Sequence, residues 1–294
     1  MRSGGSGAWA VLCLIIIAGS APACATGPVG PRTIATETLK ARPTYDLDWI
    51  TSYETALATV TDVMHRDLRL PRLAVAVRFY PDTPAFEGAL LGVGYEPQFA
   101  RDTAAIMTAI GGYRGVLINE RKLAARPWPQ RLATLAHELT HSLQYEVGGG
   151  HRGTSDQWLR EGFGEWVAVR VLEKLGVTTL DEATVRGTLA LQALRSPDRV
   201  PPLGAMVTFP QWVALGQGPH KAIVYDQAFV AVDFLIRRRG VDAVLAYFSR
   251  FSTSQDRAGN FQAAFGEDLD TFERAFHAHV WRNKEKRKMG KLVR

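Results

Sequence analysis

The spacing of apolar and polar residues along the chain predicts a mixed front part and a helical back part. Residues 48–68 have the helical period, residues 72–80 alternate as in a strand, and residues 114–119 form a second short strand. Helical periods then follow one another over the ranges 132–149, 157–175, 181–194, 226–239, 241–251 and 269–285. The pattern predicts an α+β fold with a short sheet in a small N-terminal part, followed by a mostly helical C-terminal part.

The start of the chain has the pattern of an export signal. An apolar run at residues 9–18 follows a single basic residue and precedes small residues with Ala-x-Ala spacing. Because this run is too short to span a membrane, residues 1–25 are predicted to be a cleaved signal, which implies a periplasmic or extracellular protein. The next segment, 26–46, is rich in proline, glycine and threonine and is predicted to be a linker. Residues 47–285 are predicted to form a single domain.

Both cysteines, Cys13 and Cys24, lie in or next to the signal, so the mature chain has no pair for an internal disulfide. The stretch SAPAC, residues 20–24, resembles the lipobox of bacterial lipoproteins, in which the cysteine is lipidated after cleavage. A lipid anchor on Cys24 is therefore the alternative to a plain exported protein.

Basic residues are concentrated at the end of the chain. Residues 282–294 hold seven basic residues and one acidic residue, which accounts for the whole formal charge of +6. A solvated basic tail at 286–294 is the plainer interpretation, and contact with an anionic membrane is the alternative. The rest of the sequence has no basic stripe, so nucleic-acid binding is not expected.

The residues that indicate chemistry begin in LATLAHELTHSLQYEVGG, at 132–149. His137 and His141 lie one helical turn apart, so both imidazoles can face one point, and Glu138 lies beside them. The spacing His-Glu-x-x-His is a zinc motif of metallopeptidases, in which the histidines bind the metal and the glutamate acts as a base. The alternative is a pair of histidines that are hydrogen-bonded within a core.

A catalytic zinc needs a third protein ligand, and the next helix offers candidates. In WLREGFGEWVAVRVLEKL, residues 158–175, Glu161 and Glu165 fall on one helical stripe with a tryptophan and a leucine. An unpaired carboxylate on an inward stripe is costly, so a metal or a buried partner is expected for each. The alternative is that both carboxylates are solvated, because Arg160 and Lys174 indicate that this helix also has a solvent-exposed face.

Together, the two motifs resemble the gluzincin metallopeptidases, the class of thermolysin and aminopeptidase N. HELTH is followed, twenty residues after its last histidine, by EGFGE. The resemblance implies a zincin-like fold and one Zn²⁺ per chain, held by His137, His141 and Glu161. It also implies that Glu138 is the general base and that Glu165 accepts a hydrogen bond from His137, which would fix the tautomer of the ring.

The resemblance extends to IVYDQAFVAVDFLIRRRG, residues 223–240. This segment is similar to the helix start of aminopeptidase N relatives, whose tyrosine hydroxyl stabilises the oxyanion, and it assigns that role to Tyr225. A buried structural tyrosine is the alternative, and His220 competes for the same role. The Gly-x-Met-Glu-Asn segment, with which aminopeptidases hold the free amine of the substrate, does not occur, so the resemblance favours compact bacterial peptidases.

These features predict an exported zinc metallopeptidase that cleaves peptides or proteins without a covalent intermediate. Zinc would polarise the scissile carbonyl and lower the pKa of a bound water to about 7, and Glu138 would take the proton and deliver it to the leaving amine. The strand at 114–119 is expected to offer an edge to an extended peptide. The alternatives are a zinc hydrolase with a non-peptide substrate and a non-catalytic envelope protein with a structural zinc.

Overall fold

A small mixed sheet lies in the N-terminal part of the chain, and helices follow it. The computed structural model describes residues 30–40, 44–113, 115–217 and 223–292, with side chains as far as residue 282. The strands are β1 (Arg32–Ala35), β2 (Ala76–Tyr80), β3 (Ala109–Gly112) and β4 (Gly115–Asn119). Their order is β1-β2-β4-β3, in which β2 and β4 pair in parallel and the two outer pairs are antiparallel. The α+β class predicted from the sequence is confirmed.

The strand that was expected to offer a free edge lies inside the sheet. β4 pairs with β2 on one side and with β3 on the other, and all of its residues are buried. The prediction of an edge at 114–119 is therefore wrong, and the edge strand next to β4 is β3. Its sequence, Ala-Ile-Gly-Gly, is too short and too poor in side chains to give a strand period.

The sheet also begins earlier in the chain than predicted. β1 lies within 26–46, yet it pairs with β2 over four residues and buries Ile34. The linker prediction is therefore wrong for Arg32–Ala35, because backbone pairing and one buried side chain are enough for a short edge strand. The predicted signal at 1–25, with Cys24, lies outside the described residues.

Helices in the N-terminal part cover both faces of the sheet. They are α1 (Tyr53–Asp62), α2 (Thr83–Gly92), α3 (Pro97–Ile106) and α4 (Glu120–Ala124). Ser52 forms a capping box with Thr55 at the start of α1, and one π-helical turn, Val63–Asp67, follows that helix. α2 and α3, which the sequence pattern did not predict, pack on Leu117 of β4 through four buried side chains: Phe86, Leu90, Ala100 and Ala104.

The remaining helices are α5 (Trp128–Val147), α6 (Gln157–Lys174), α7 (Leu180–Ala193), α8 (Phe209–Gln217), α9 (Val224–Arg239), α10 (Val241–Arg250), α11 (Arg257–Phe265) and α12 (Leu269–Leu292). The predicted helices are confirmed, and α8 and α11 are additional. α12 continues past its predicted end at residue 285, so most of the predicted basic tail has a helical backbone. Within the described part of the chain, every helix falls short of the length or the apolar character that crossing a membrane requires.

α6 lies between α5 and α9 in the centre of the helical part, and two glycines allow the close packing. A Cβ on Gly162 would lie 2.3 Å from the carbonyl oxygen of Ala228 in α9, and a Cβ on Gly164 would lie 2.9 Å from Nδ1 of His137 in α5. Real Cβ contacts are not this short, so a larger residue would push the helices apart. The glycines of EGFGE thus bring α6 against α5 and α9.

Candidate metal centre

α5 and α6 place two histidines and one glutamate around a single point. His137 Nε2 lies 3.3 Å from Glu161 Oε2, and His141 Nε2 lies 3.6 Å from Glu161 Oε1. The two imidazole rings are nearly perpendicular, at 88°, with their centroids 4.6 Å apart. Both Nε2 atoms therefore face the carboxylate, as the one-turn spacing of the histidines predicted.

One donor atom from each of these three residues lies within 4.8 Å of the donor atoms of the other two. Imidazole nitrogen and carboxylate oxygen are both good metal ligands. His137, His141 and Glu161 can therefore hold a metal ion, and the structure brings all three predicted ligands together.

The other nitrogen of each ring also lies close to a polar side chain. Nδ1 of His137 lies 3.1 Å from Glu165 Oε1, and Nδ1 of His141 lies 3.0 Å from Gln144 Oε1. Gln144 in turn donates through Nε2 to the backbone oxygen of Arg160 at 2.9 Å. In the neutral rings, a proton on each Nδ1 would leave Nε2 unprotonated and free to bind a metal.

The carboxylate of Glu161 is oriented from its own helix. Gln157, one turn earlier in α6, donates through Nε2 to Glu161 Oε1 at 2.6 Å. Neither Gln144 nor Gln157 was predicted from the sequence, although each lies three or four residues from a predicted ligand. Spacing alone did not distinguish these amides from ordinary helix residues.

The charged forms of Glu161 and His137 stabilise each other, although both side chains are buried. Burial by itself would raise the pKa of Glu161, but the charge of His141 and the hydrogen bond from His137 outweigh it and hold that pKa well below its usual range. Burial would lower the pKa of His137, but contacts with Glu161 and Glu165 outweigh it and hold that pKa well above its usual range. Protons therefore compete with a metal ion for this site.

Glu138 lies on α5 beside the ligands, but it faces the edge strand of the sheet. Its Oε2 accepts a hydrogen bond of 2.6 Å from the backbone nitrogen of Gly111 in β3. A Cβ on Gly111 would lie 2.0 Å from the backbone oxygen of Glu138, so only glycine allows β3 to approach α5 this closely. The structure therefore places the predicted base at the free edge of the sheet.

Tyr225 lies in the first turn of α9 and is half-buried. Its ring contacts the edge of Trp212 in α8, with 4.9 Å between the centroids. Asp226 is the next residue. Burial, and after it the negative charge of Glu165 in α6, raise the pKa of Asp226 to about 6. His220 lies outside the described residues. The oxyanion role of Tyr225 stays a prediction.

Arg160 is buried, although the sequence predicted that it lies on a solvent-exposed face of α6. Only 3% of its surface is exposed. Its guanidinium instead lies over the ring of Tyr145, with 5.2 Å from Cζ to the centroid. Helical periodicity failed here because α5 and the loop before α6 cover this face of the helix.

Comparison with protein-family models, curated proteins and solved structures finds no match to this chain. The resemblance to gluzincins is thus carried by the motifs HELTH and EGFGE. The geometry of the residues in these motifs is the support that the structure adds.

Proposed function

We propose that this protein is a zinc-dependent peptidase. The observation that carries the proposal is the convergence of His137, His141 and Glu161, with Glu138 beside them at the sheet edge. In tetrahedral coordination with bonds of about 2.0–2.1 Å, zinc ligands are about 3.3 Å apart. The distances of 3.3 Å and 3.6 Å from Glu161 to the two histidines agree with that spacing.

Zinc bound at this site would act as a Lewis acid toward the scissile carbonyl and toward a water molecule. Glu138 is the general base. The hydrogen bond from Gly111 fixes its Oε2, and among the described residues no hydrogen bond occupies Oε1. Oε1 can therefore take a proton and return it to the leaving amine, which is how one carboxylate serves both steps of the hydrolysis.

Other residues keep the ligands in place. Glu165 and Gln144 hold the Nδ1 sides of the two histidines, and Gln157 orients the carboxylate of Glu161. This arrangement selects the tautomers that present Nε2 and reduces the reorganisation needed on metal binding. Tyr225 is the proposed donor to the oxyanion, a role supported only by the resemblance of its segment.

A peptide substrate is supported by the position of β3. This strand pairs with β4 on one side only, and its backbone reaches Glu138 through Gly111. An extended peptide that adds to β3 as a further strand would run past the general base. Strand addition thus stays part of the proposal, with the edge moved from 114–119 to Ala109–Gly112.

The remaining parts of the proposal derive from sequence patterns alone. They are export through residues 1–25 and a periplasmic or extracellular location, with lipidation at Cys24 as the alternative anchor. A non-peptide substrate and a structural zinc without catalysis remain the competing functions.

The direct test uses casein as an unstructured substrate. The zinc-loaded protein should cleave casein, 1,10-phenanthroline should abolish the cleavage, and added zinc should restore it. Hydrolysis of a simple ester without cleavage of casein would favour the non-peptide alternative. Cleavage that persists in the chelator would contradict the zinc mechanism, and a zinc-loaded protein without hydrolytic activity would favour the structural role.

A further inference from the structure

A buried positive charge lies beside the metal centre without an acidic partner. Arg160 donates from Nη1 to Ser155 Oγ at 3.4 Å and otherwise lies over the Tyr145 ring. Among the described residues, no carboxylate oxygen lies within 4.0 Å of its guanidinium nitrogens. Arginine is seldom buried unless it is paired, because an uncompensated charge is costly.

A second arginine adds to this charge. Arg152, in the loop between α5 and α6, donates through Nη2 to Gln157 Oε1, and the described part of the chain offers it no carboxylate within 4.0 Å either. Ser155 connects the two arginines, because its Oγ donates to the backbone oxygen of Arg152 at 3.2 Å and accepts from Arg160 Nη1. An anion bound by both guanidinium groups would offset the repulsion between their like charges.

Gln157 links Arg152 to the metal centre, because it accepts from Arg152 and donates to Glu161. Burial is the main reason that the pKa of Tyr95 is raised, and the charges of both Arg152 and Glu138 also act on it. The charges of Arg152 and Glu138 thus both reach Tyr95.

Exposed aromatic rings lie next to Arg152. Tyr95 stacks on Phe99 with 5.4 Å between the centroids, and Phe99 contacts Phe209 edge-on at 6.1 Å. Phe99 is 43% exposed and Phe209 is 37% exposed, although both are large apolar side chains. The guanidinium carbon of Arg152 lies 5.4 Å from the centroid of Phe209. The positive charge of Arg152 thus lies against an exposed apolar surface formed by Phe209 and Phe99.

We propose that Arg152 and Arg160 bind a carboxylate of the substrate, carried by an apolar residue that packs against Phe99 and Phe209. Guanidinium groups suit carboxylates because their donors can pair with both oxygens. The inference rests on the proposed peptidase function and names its substrate class, peptides with a carboxylate near the scissile bond. A C-terminal carboxylate and an acidic side chain carry the same group.

Binding is measured first, independently of cleavage. N-acetylphenylalanine and its amide are titrated calorimetrically into the full-length, zinc-loaded protein. The acid should bind about 10-fold to 100-fold more tightly than the amide, the range expected for charged hydrogen bonds. Arg152→Gln should remove this difference. Arg72→Gln, a matched change at an exposed arginine that precedes β2 in the chain, should keep it.

Equal binding of acid and amide by the wild-type protein would overturn the proposal. A preference that survives unchanged in both Arg152→Gln and Arg160→Lys would also overturn it, because another group, such as zinc, would then bind the carboxylate. Arg152 is the primary target since it lies in a loop, whereas Arg160 is buried within α6. Arg160→Lys, which keeps the charge but loses the planar fork, should reduce the preference.

Cleavage then separates this inference from the peptidase function. Three acetylated peptides are compared by kcat/KM: one ending in free phenylalanine, its amide, and an amidated peptide with an internal glutamate. The wild-type protein should favour a carboxylate, and the two acidic peptides show which source it accepts. Cleavage of all three at one rate would contradict the subsite and leave the peptidase function intact. Selective binding of the acid without cleavage would contradict the peptidase function alone.

Discussion

At the scale of single residues, the carboxylates of the site differ in role because they differ in neighbours. Glu161 faces two imidazoles and is the proposed ligand, whereas Glu138, the proposed base, accepts from a backbone amide through one oxygen. Glu165 lies behind His137 and acts only through it. The sequence predicted all three positions, because helical spacing determines which side chains share a face. It could not predict Gln144 or Arg160, whose contacts depend on the packing of α5 against α6.

Replacing Glu165 tests its positioning role. Glu165→Ala should weaken zinc binding about 10-fold to 100-fold, because the Nδ1 proton of His137 loses its acceptor. Glu165→Gln keeps an acceptor oxygen and should lose less. Competition with a chromophoric chelator measures both affinities. Unchanged affinity in Glu165→Ala would mean that this carboxylate does not orient the ligand.

Tyr225→Phe tests the oxyanion role. Loss of a donor that acts only as charge develops should lower kcat about 10²-fold to 10³-fold, with little change in KM, zinc content or melting temperature. A structural tyrosine would instead lose about 1 kcal/mol of stability and keep its rate. If Tyr225→Phe keeps its turnover and His220→Ala loses it, His220 is the oxyanion donor.

At the scale of elements, long helices were predictable and short or small-residue elements were not. α6 and α9 combine many apolar residues at helical spacing, so their period identified them. β3 contains two glycines, and α3 turns mainly alanines, Ala100 and Ala104, toward the sheet. Such elements contribute little to a hydrophobic period and are held in place by their neighbours.

Gly164 tests the close packing of α6 on α5. Alanine usually stabilises a helix interior relative to glycine by up to about 1 kcal/mol. At Gly164, however, the added Cβ meets the His137 ring at 2.9 Å, so Gly164→Ala should reduce both stability and zinc affinity. Gly88→Ala in α2 is the matched control, because its Cβ would meet nothing within 4 Å. Chemical denaturation measures the free energy of unfolding of both variants, and zinc titration measures their affinities. Equal gains in stability would contradict this packing.

At the scale of the whole molecule, the buried carboxylate of Asp156 connects α6, which carries Glu161, to α10 and α11. Asp156, at the start of α6, accepts a hydrogen bond of 2.7 Å from Tyr247 in α10 and lies 3.4 Å from Arg257 Nε in α11. Burial nevertheless raises its pKa from 3.8 to about 6. The folded protein therefore binds this proton more tightly than the unfolded chain does.

Stability should depend on pH through Asp156. Its favourable contribution is complete below pH 3.8 and is lost as pH rises to about 6, by up to ~3 kcal/mol for a shift of about two units. Asp156→Asn cannot titrate, so the wild-type protein should lose stability relative to this variant across that range. Urea unfolding of both proteins from pH 4 to pH 7 measures the difference, and a constant difference would contradict the shifted pKa.

The most direct test of the central claim is the zinc content and the peptide turnover of Glu138→Gln and wild type, measured on the same preparations. Glutamine keeps the size of the side chain and touches no ligand. We expect close to one zinc per chain in both proteins and a loss of turnover of about 10²-fold to 10⁴-fold in the variant. Near wild-type turnover in Glu138→Gln would contradict the assigned base, and full zinc content in a His137→Ala, His141→Ala double variant would contradict the metal site.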